Sequence, residues 1–399
     1  MSQPTKMLFL LSIAALFSMS IWFSASAVGP ALEIEWGLTS GQLGTLVLAV
    51  QFGFVVGTLF IAFTNLADIL NTRRLFSFSA VLAATINAGF AWFSFDWTLA
   101  IVLRFLAGFF LAGVYPPAMK IIAGWFKIRR GLAIGTLVGA LAIGSALPHW
   151  VGSLAREQWQ LTIYISSGLS LLAALIVLFF VKDGPYDLSA QKVNLKYVFK
   201  ILKDQPTRLA YFGYFGHMWE LYAMWTWIPV FLVNAQADSS SQPYSPGLGA
   251  FLVIASGAVG SVFYGFLGDK IGRSRSTILA MLISGLCCLV VGFLQHINPN
   301  WLLFICMIWG VTVVADSAQF SAAASELCEP QYIGTVLTLQ TSIGFLITMV
   351  SIRLIPFLQT IGGWELAFSV LGIGPLLGII AMRGLFKLPQ ATKMANGNR

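Results

Sequence analysis

Long apolar runs recur along this chain too often for any water-soluble fold to hide them. The first extends from Met7 to Leu32 without a charged residue. A membrane-crossing helix needs about 20 mostly apolar residues, and runs of that length fall near 7–29, 41–63, 75–95, 97–119, 131–155 and 159–181. A second series falls near 209–234, 248–268, 276–296, 300–323, 332–355 and 365–386. Soluble domains carry roughly 25% charged and about 45–50% apolar residues, whereas this chain has 10% and 58%. A soluble enzyme is thereby excluded. An outer-membrane barrel is excluded too, because its strands alternate over about ten residues. The expected fold is an all-α polytopic membrane protein of twelve transmembrane helices, arranged as six-helix bundles over 1–181 and 209–399.

The first run resembles a secretory signal, with Ala25-Ser26-Ala27 in the place of a cleavage site. It is nevertheless longer than the roughly 7–15 residues of a signal-peptide core and is followed by further membrane runs, so it reads as a retained first span. Between the series lies a polar stretch, 182–208, broken from the sixth run by Gly184-Pro185 and carrying six Lys and Arg residues. It reads as a cytoplasmic linker, either a basic surface helix or a flexible connection.

Charge placement sets the expected orientation. Of 23 Lys and Arg residues only Arg104, Arg156 and Arg353 lie away from one set of segment ends, which leaves 23 − 3 = 20 on a single side. Basic residues concentrate on the cytoplasmic side of membrane proteins. Both termini are therefore expected in the cytoplasm of a bacterial inner membrane. The net charge of +8 orients the chain and calls for no nucleic-acid partner. Cys287, Cys288, Cys306 and Cys328 show no metal-like spacing, and neither a metal nor a cofactor is expected.

An internal repeat links the two series. Gly265-Phe-Leu-Gly-Asp269-Lys-Ile-Gly272-Arg273 joins the eighth and ninth runs, and Asn65-Leu-Ala-Asp68-Ile-Leu-Asn-Thr-Arg73-Arg74 joins the second and third. The two aspartates are 269 − 68 = 201 residues apart, about half the chain. An acid at a helix end followed by arginines can latch neighbouring helices through charge-assisted hydrogen bonds.

On these residues the sequence resembles the major facilitator superfamily. The Gly265–Arg273 loop is similar to that family's signature loop, and the first copy keeps Asp68 and the arginine pair while losing the glycines. Arg104-Phe-Leu-Ala-Gly108 with Gly113 resembles a second signature, and Trp125-Phe126 with Arg129-Arg130-Gly131 resembles its connection between spans 4 and 5. The resemblance implies a rocker-switch carrier, its substrate site between the halves and its cytoplasmic gate formed by Asp68, Arg73, Arg74, Gly265, Asp269, Gly272 and Arg273. The stretches His217–Trp227 and Ala315–Ser321 are similar to bacterial members loosely grouped with nitrate/nitrite porters. Those porters place substrate arginines in spans 2 and 8, where this chain has Gln51 and no arginine, so nitrate is not the expected cargo.

Ionisable residues inside a membrane are costly, at least about 2.5–3.5 kcal/mol on insertion scales, and mark function by default. Glu220 lies about 11 residues, roughly 16 Å, into the seventh run, and His217 is one turn earlier. Glu220 is the first candidate for a proton-coupling carboxylate, the alternative being a permanent pair with Arg104 or His217. Arg104, roughly 10 Å into its run, either meets substrate, tunes coupling or packs helices; Asp316, about 22 Å along the tenth, suits gating, coupling or contact with a substrate ammonium. Trp219 and Tyr222, three residues apart, are expected to share a face beside Glu220 and, with His217, Arg104 and Gln51, to contact substrate. Trp36, Trp92, Trp97, Trp301 and Trp364 are expected in interfacial belts. Gly131, Gly135 and Gly139, and likewise Gly53 and Gly57, form small-residue ridges for close helix approach, and Pro116-Pro117 should bend the fourth run.

The expected function is secondary active transport of a small organic solute, an anion among the candidates, by a monomer with protons as coupling ion. Gly139 is followed by Ala140 where the family's antiporters carry Gly-Pro, which favours uptake over proton-antiport export of drugs or metabolites. A receptor or membrane enzyme on the same scaffold is the remaining class. No Walker-type loop for ATP and no nucleophile–base arrangement appears in the sequence.

Overall fold

The computed structural model describes residues 2–93, 96–126, 130–155, 158–186, 203–237, 242–329 and 332–398; the side chains of Ser40, Ala67, Asp68, Arg130 and Asn396 are excepted. The expected linker helix falls largely on 187–202, outside the described residues. In the first half the helices are α1 (Gln3–Met19), α2 (Ser24–Ala27), α3 (Gly29–Trp36), α4 (Ser40–Thr64), α5 (Leu66–Ile69), α6 (Thr72–Phe93), α7 (Trp97–Leu111), α8 (Tyr115–Ala123), α9 (Arg130–Leu154) and α10 (Trp159–Phe180). The second half contains α11 (Gln205–Ala237), α12 (Pro246–Ile271), α13 (Arg273–Val290), α14 (Pro299–Val313), α15 (Ser317–Leu327), α16 (Ile333–Leu371) and α17 (Ile373–Lys387).

Nine helical stretches among the described residues are long and apolar enough to cross a membrane. One of them, Ile333–Lys387, contains two of the expected runs, separated where Gly362 and Gly363 leave helical geometry. The two expected runs outside the nine are α1, which ends at Met19 after 17 residues, and α11, whose 33 residues are rich in Trp, Tyr and other groups of low hydropathy.

Three runs are broken rather than continuous. The first stops at Met19 and resumes at Ser24. The fourth stops at Leu111 and resumes at Tyr115, with prolines in the first turn of the new helix, where a missing N–H costs nothing. The tenth stops at Val313 and resumes at Ser317. The last two breaks correspond across the halves, since 313 − 111 = 202 and 317 − 115 = 202. Discontinuous helices in matching positions of two repeats are a mark of carrier folds.

Within the first half α1 packs on α9 and α10, and α4 on α7; within the second α11 packs on α16 and α17, and α12 on α14. The most extensive packing between halves is α9 with α12, followed by α4 with α16, and α9 also touches α15. The glycine ridges permit both kinds of approach. A Cβ on Gly53 or Gly57 would run into the α7 backbone, and one on Gly139 would lie 3.2 Å from Ala258 of α12. The chain ends pack against the segments of one face of the molecule. Met7 Sδ accepts from Lys182 N (3.2 Å), Arg73 pairs with Asp183, and at the other end Ala395 N donates to Glu326 (3.0 Å) and Asn398 to the Asp269 carbonyl (3.5 Å). This terminal face is distinguished below from the far face.

One belt expectation fails. Trp92 and Trp301 are exposed on the outer surface, but Trp364 is buried against Phe231 and Phe368, with ring centroids 5.4 and 5.1 Å away. The Gly362–Gly363 break turns the chain inward there, which distance along a run does not reveal.

Candidate functional site

Six buried aromatic rings meet between the halves. Trp22, Phe23 and Phe54 come from the first half, Tyr222, Trp225 and Phe345 from the second. Trp22 lies 5.0 Å from Phe54, 5.7 Å from Tyr222 and 5.5 Å from Phe345; Phe54 and Phe345 are 4.8 Å apart, and Tyr222 is 5.5 Å from Trp225. These spacings lie in the range of favourable ring contact. One helical turn from Phe54 and Phe345, Gln51 Oε1 accepts from the Thr348 hydroxyl in a short bond that also bridges the halves.

On the far-face side of this cluster a cavity of about 610 Å³ opens between the halves, lined by Gly29, Val47, His149, Thr226, Asn234 and Gln359 among others. Small-ligand sites measure about 300–1,000 Å³. His149 joins cavity to cluster, its ring 6.3 Å from Phe23. The far rim is bridged where Arg353 donates to the Gly41 carbonyl (3.2 Å).

Arg104 is 1% exposed, and among the described residues no carboxylate pairs with it. Nη1 donates to Asn87 Oδ1 (2.7 Å) and Ser24 Oγ (3.3 Å); Nη2 donates to the carbonyls of Ile21 (3.0 Å) and Trp22 (2.9 Å). Those carbonyls belong to the break in the first run, where the regular helical ladder is interrupted. The arginine thus holds the segment that carries Trp22 and Phe23 to the cluster.

Glu220 has neither of the partners expected for it. Its carboxylate accepts from Trp309 Nε1 (2.5 Å), Ser284 Oγ (3.0 Å) and Cys288 Sγ (3.1 Å), all within the second half. His217 Nδ1 instead lies 2.8 Å from Asp316, which caps α15 at the break in the tenth run. Both are buried, with His217 5.9 Å from Tyr214 and 5.7 Å from Phe320. Trp219 and Tyr222 do not share surroundings. Trp219 Nε1 donates to the Val370 carbonyl on the α17 side (3.2 Å), whereas Tyr222 faces the cluster. Three residues leave a 60° offset, and on a helix buried nearly all round that is enough to meet different neighbours.

On the terminal face Arg273 reaches Asp269 (2.8 Å), Glu326 (2.9 Å) and Gln319 (2.7 Å). Gly272, at φ 99°, makes the tight turn before α13 that a side chain would strain. Gly265 approaches the Gly131 carbonyl of α9, and a Cβ there would be 2.8 Å from it. In the first copy Arg73 pairs with Asp183 (3.1 Å), Arg74 is exposed, and the Asp68 side chain lies outside the described residues.

Sequence reasoning placed Gln51 and Tyr222 among the candidate site residues but missed Trp22, Phe23, Phe54, Trp225, Phe345 and Thr348 as a group. Aromatics in an apolar run carry no sign of which neighbour they face, and the sequence does not mark the break in the first run that carries Trp22 and Phe23.

Paired helical halves around a shared cavity and a ring cluster define a polytopic membrane carrier. The profile of the Major Facilitator Superfamily matches residues 10–352 and 247–399, and the chain belongs to that family of transporters rather than to an enzyme class. It is similar to a probable sulfoacetate transporter of Cupriavidus necator, at 25% identity over 92% of this chain and 90% of that protein. A 4-hydroxybenzoate transporter of Acinetobacter baylyi is 21% identical over 79% of this chain and 76% of its own. The crystal structure of the nucleoside transporter NupG shares the fold at a TM-score of 0.70 and 14% identity, covering 96% of this chain and 100% of that one.

Proposed function

We propose that this chain is a monomeric uptake carrier for a small organic anion in a bacterial cytoplasmic membrane, with both termini inside and two six-helix halves, 1–181 and 209–399, rocking about the central cluster. The observation that carries the reading is the asymmetry of the inter-half space: a cavity of about 610 Å³ on the far side of a ring floor, and close packing of Gly131 on Asp269 on the terminal side. That is the arrangement of a carrier loading from the far face. The names of the two relatives, transporters of sulfoacetate and 4-hydroxybenzoate, support an anionic cargo.

Protons are the proposed coupling ion. The buried His217–Asp316 pair and Glu220 one turn along are its carriers, because groups so placed can change protonation as water reaches them during rocking. The test is uptake into proteoliposomes with the cavity side outward. An acidic exterior should drive accumulation of a small organic anion, and a protonophore should abolish accumulation while leaving exchange. Accumulation indifferent to the pH gradient removes the coupling; no exchange of any solute removes the carrier.

A further inference from the structure

Three hydrogen-bond donors at the ring cluster have no acceptor among the described residues. Trp22 Nε1, Trp225 Nε1 and Gln51 Nε2 are buried without a partner. A buried N–H without an acceptor is costly, and most such groups in folded proteins are satisfied. Three at one junction of two halves call for an acceptor from outside. Gln51 has committed its carbonyl to Thr348, so only its N–H groups are left to donate. Indole nitrogens can only donate. His149, whose Nε2 is likewise unpartnered, stands where the cavity meets the cluster.

Resting on the carrier reading above, we propose that these rings and donors are the substrate's seat, and that its ligand is a flat, conjugated carboxylate of the arenecarboxylate type, held without any contacting cationic side chain. Its oxygens take Trp22 Nε1, Trp225 Nε1 and Gln51 Nε2. Its ring enters between the layer of Trp22, Phe23 and Phe54 and the layer of Tyr222, Trp225 and Phe345, which separate as the halves part. Arg104 spends both Nη groups on two backbone carbonyls, Asn87 and Ser24, and only its Nε is left without a partner. It acts by positioning Trp22 instead. Ring faces also attract cations, but a cation brings no acceptor and would leave all three donors unsatisfied.

The test uses the full-length protein in detergent, with ligand-induced thermal stabilisation as readout. Benzoate and cinnamate are compared with benzamide, benzylammonium and cyclohexanecarboxylate as probes of charge and flatness. The expected result is stabilisation by the two flat carboxylates above the other three, with affinity at least tenfold lower in Trp22→Phe and Trp225→Phe, which keep a ring and lose the N–H. Gln51→Leu should weaken binding similarly, and Trp301→Phe, at the exposed surface, should not. The seat is overturned if benzamide or benzylammonium stabilises as well as benzoate, if neither flat carboxylate stabilises the protein, or if both Trp variants bind as the parent does. Counterflow of a broad solute panel on the same preparation separates the two readings. Exchange of some other solute with the flat carboxylates inactive overturns the seat alone, and no exchange of any solute overturns the carrier reading as well.

Discussion

Gly131 and Asp269 meet across the two halves of the molecule: a methyl group on Gly131 would lie 2.5 Å from Asp269 Oδ1. Asp269 is held in turn by Arg273, so the contact cannot relax by swinging the carboxylate away without breaking an ion pair. Gly131→Ala should prevent this closure. Overpacking of this kind typically costs about 1–3 kcal/mol, enough to shift a balanced two-state equilibrium by roughly 5- to 150-fold. The expected outcome is loss of most uptake with folding retained, together with increased thiol labelling of a cysteine introduced at Ser261, beside Gly135. Uptake and labelling equal to the parent would show that the terminal face does not close through this contact.

Arg104 should behave as a structural tie. Removing it strips acceptors in the break of the first run of a charged donor, an interaction worth about 1.5–3 kcal/mol where a single charge-assisted bond is lost. Arg104→Lys cannot restore it, because an ammonium lacks the planar fork that reaches four acceptors at once. Both variants should lower thermal stability in the absence of any solute. A stable Arg104→Ala protein that had merely lost substrate affinity would contradict this role.

Glu220→Gln is expected to fold. The amide oxygen can still accept from Trp309 and Cys288, while its NH₂ turns to Ser284, whose hydroxyl can reverse and accept. Glu220→Ala, by contrast, leaves the Trp309 N–H without an acceptor at a cost of about 1–3 kcal/mol. In liposomes Glu220→Gln should keep solute exchange and lose accumulation driven by a pH gradient. Asp316→Asn should show the same split, and unimpaired gradient-driven accumulation in both would take coupling away from this region.

The tail after α17 lies on the terminal face, against the residues that hold Arg273. Ala391 and Met394 are fully buried, and the Ala395 N–H donates to Glu326, the acid that also holds Arg273. Truncation after Lys387 should loosen the terminal face and favour the state open there. The measurement is labelling of single cysteines on each face, with terminal-face labelling expected to rise and far-face labelling to fall.

How much of this was readable in advance differs by feature. The Asp269–Arg273 latch was legible because a short loop fixes which residues can meet, and Gly-rich spacing announced the tight turn at Gly272. The helix-approach role of Gly53, Gly135 and Gly139 was legible for the same local reason. Partners of Glu220 were not. Candidates lay on several helices, and those it has, Ser284, Cys288 and Trp309, are small or aromatic residues with nothing in the sequence to single them out. Trp219 and Tyr222 are neighbours on a helical wheel, but on a helix buried over most of its surface residues 60° apart meet different partners.

The apolar runs and their bounding charges determined by themselves that this is a helical membrane protein built from two related halves, because lipid admits few ways to satisfy a buried backbone and run length is written residue by residue. Where the runs break, which rings face one another, and that Arg104 serves backbone carbonyls rather than a carboxylate were decided only by the packing of the helices. Those contacts join residues far apart in the chain, such as Trp22 with Tyr222 and Gln51 with Thr348. Their pairing depends on helix rotation and tilt, which the periodicity of a uniformly apolar run leaves undetermined.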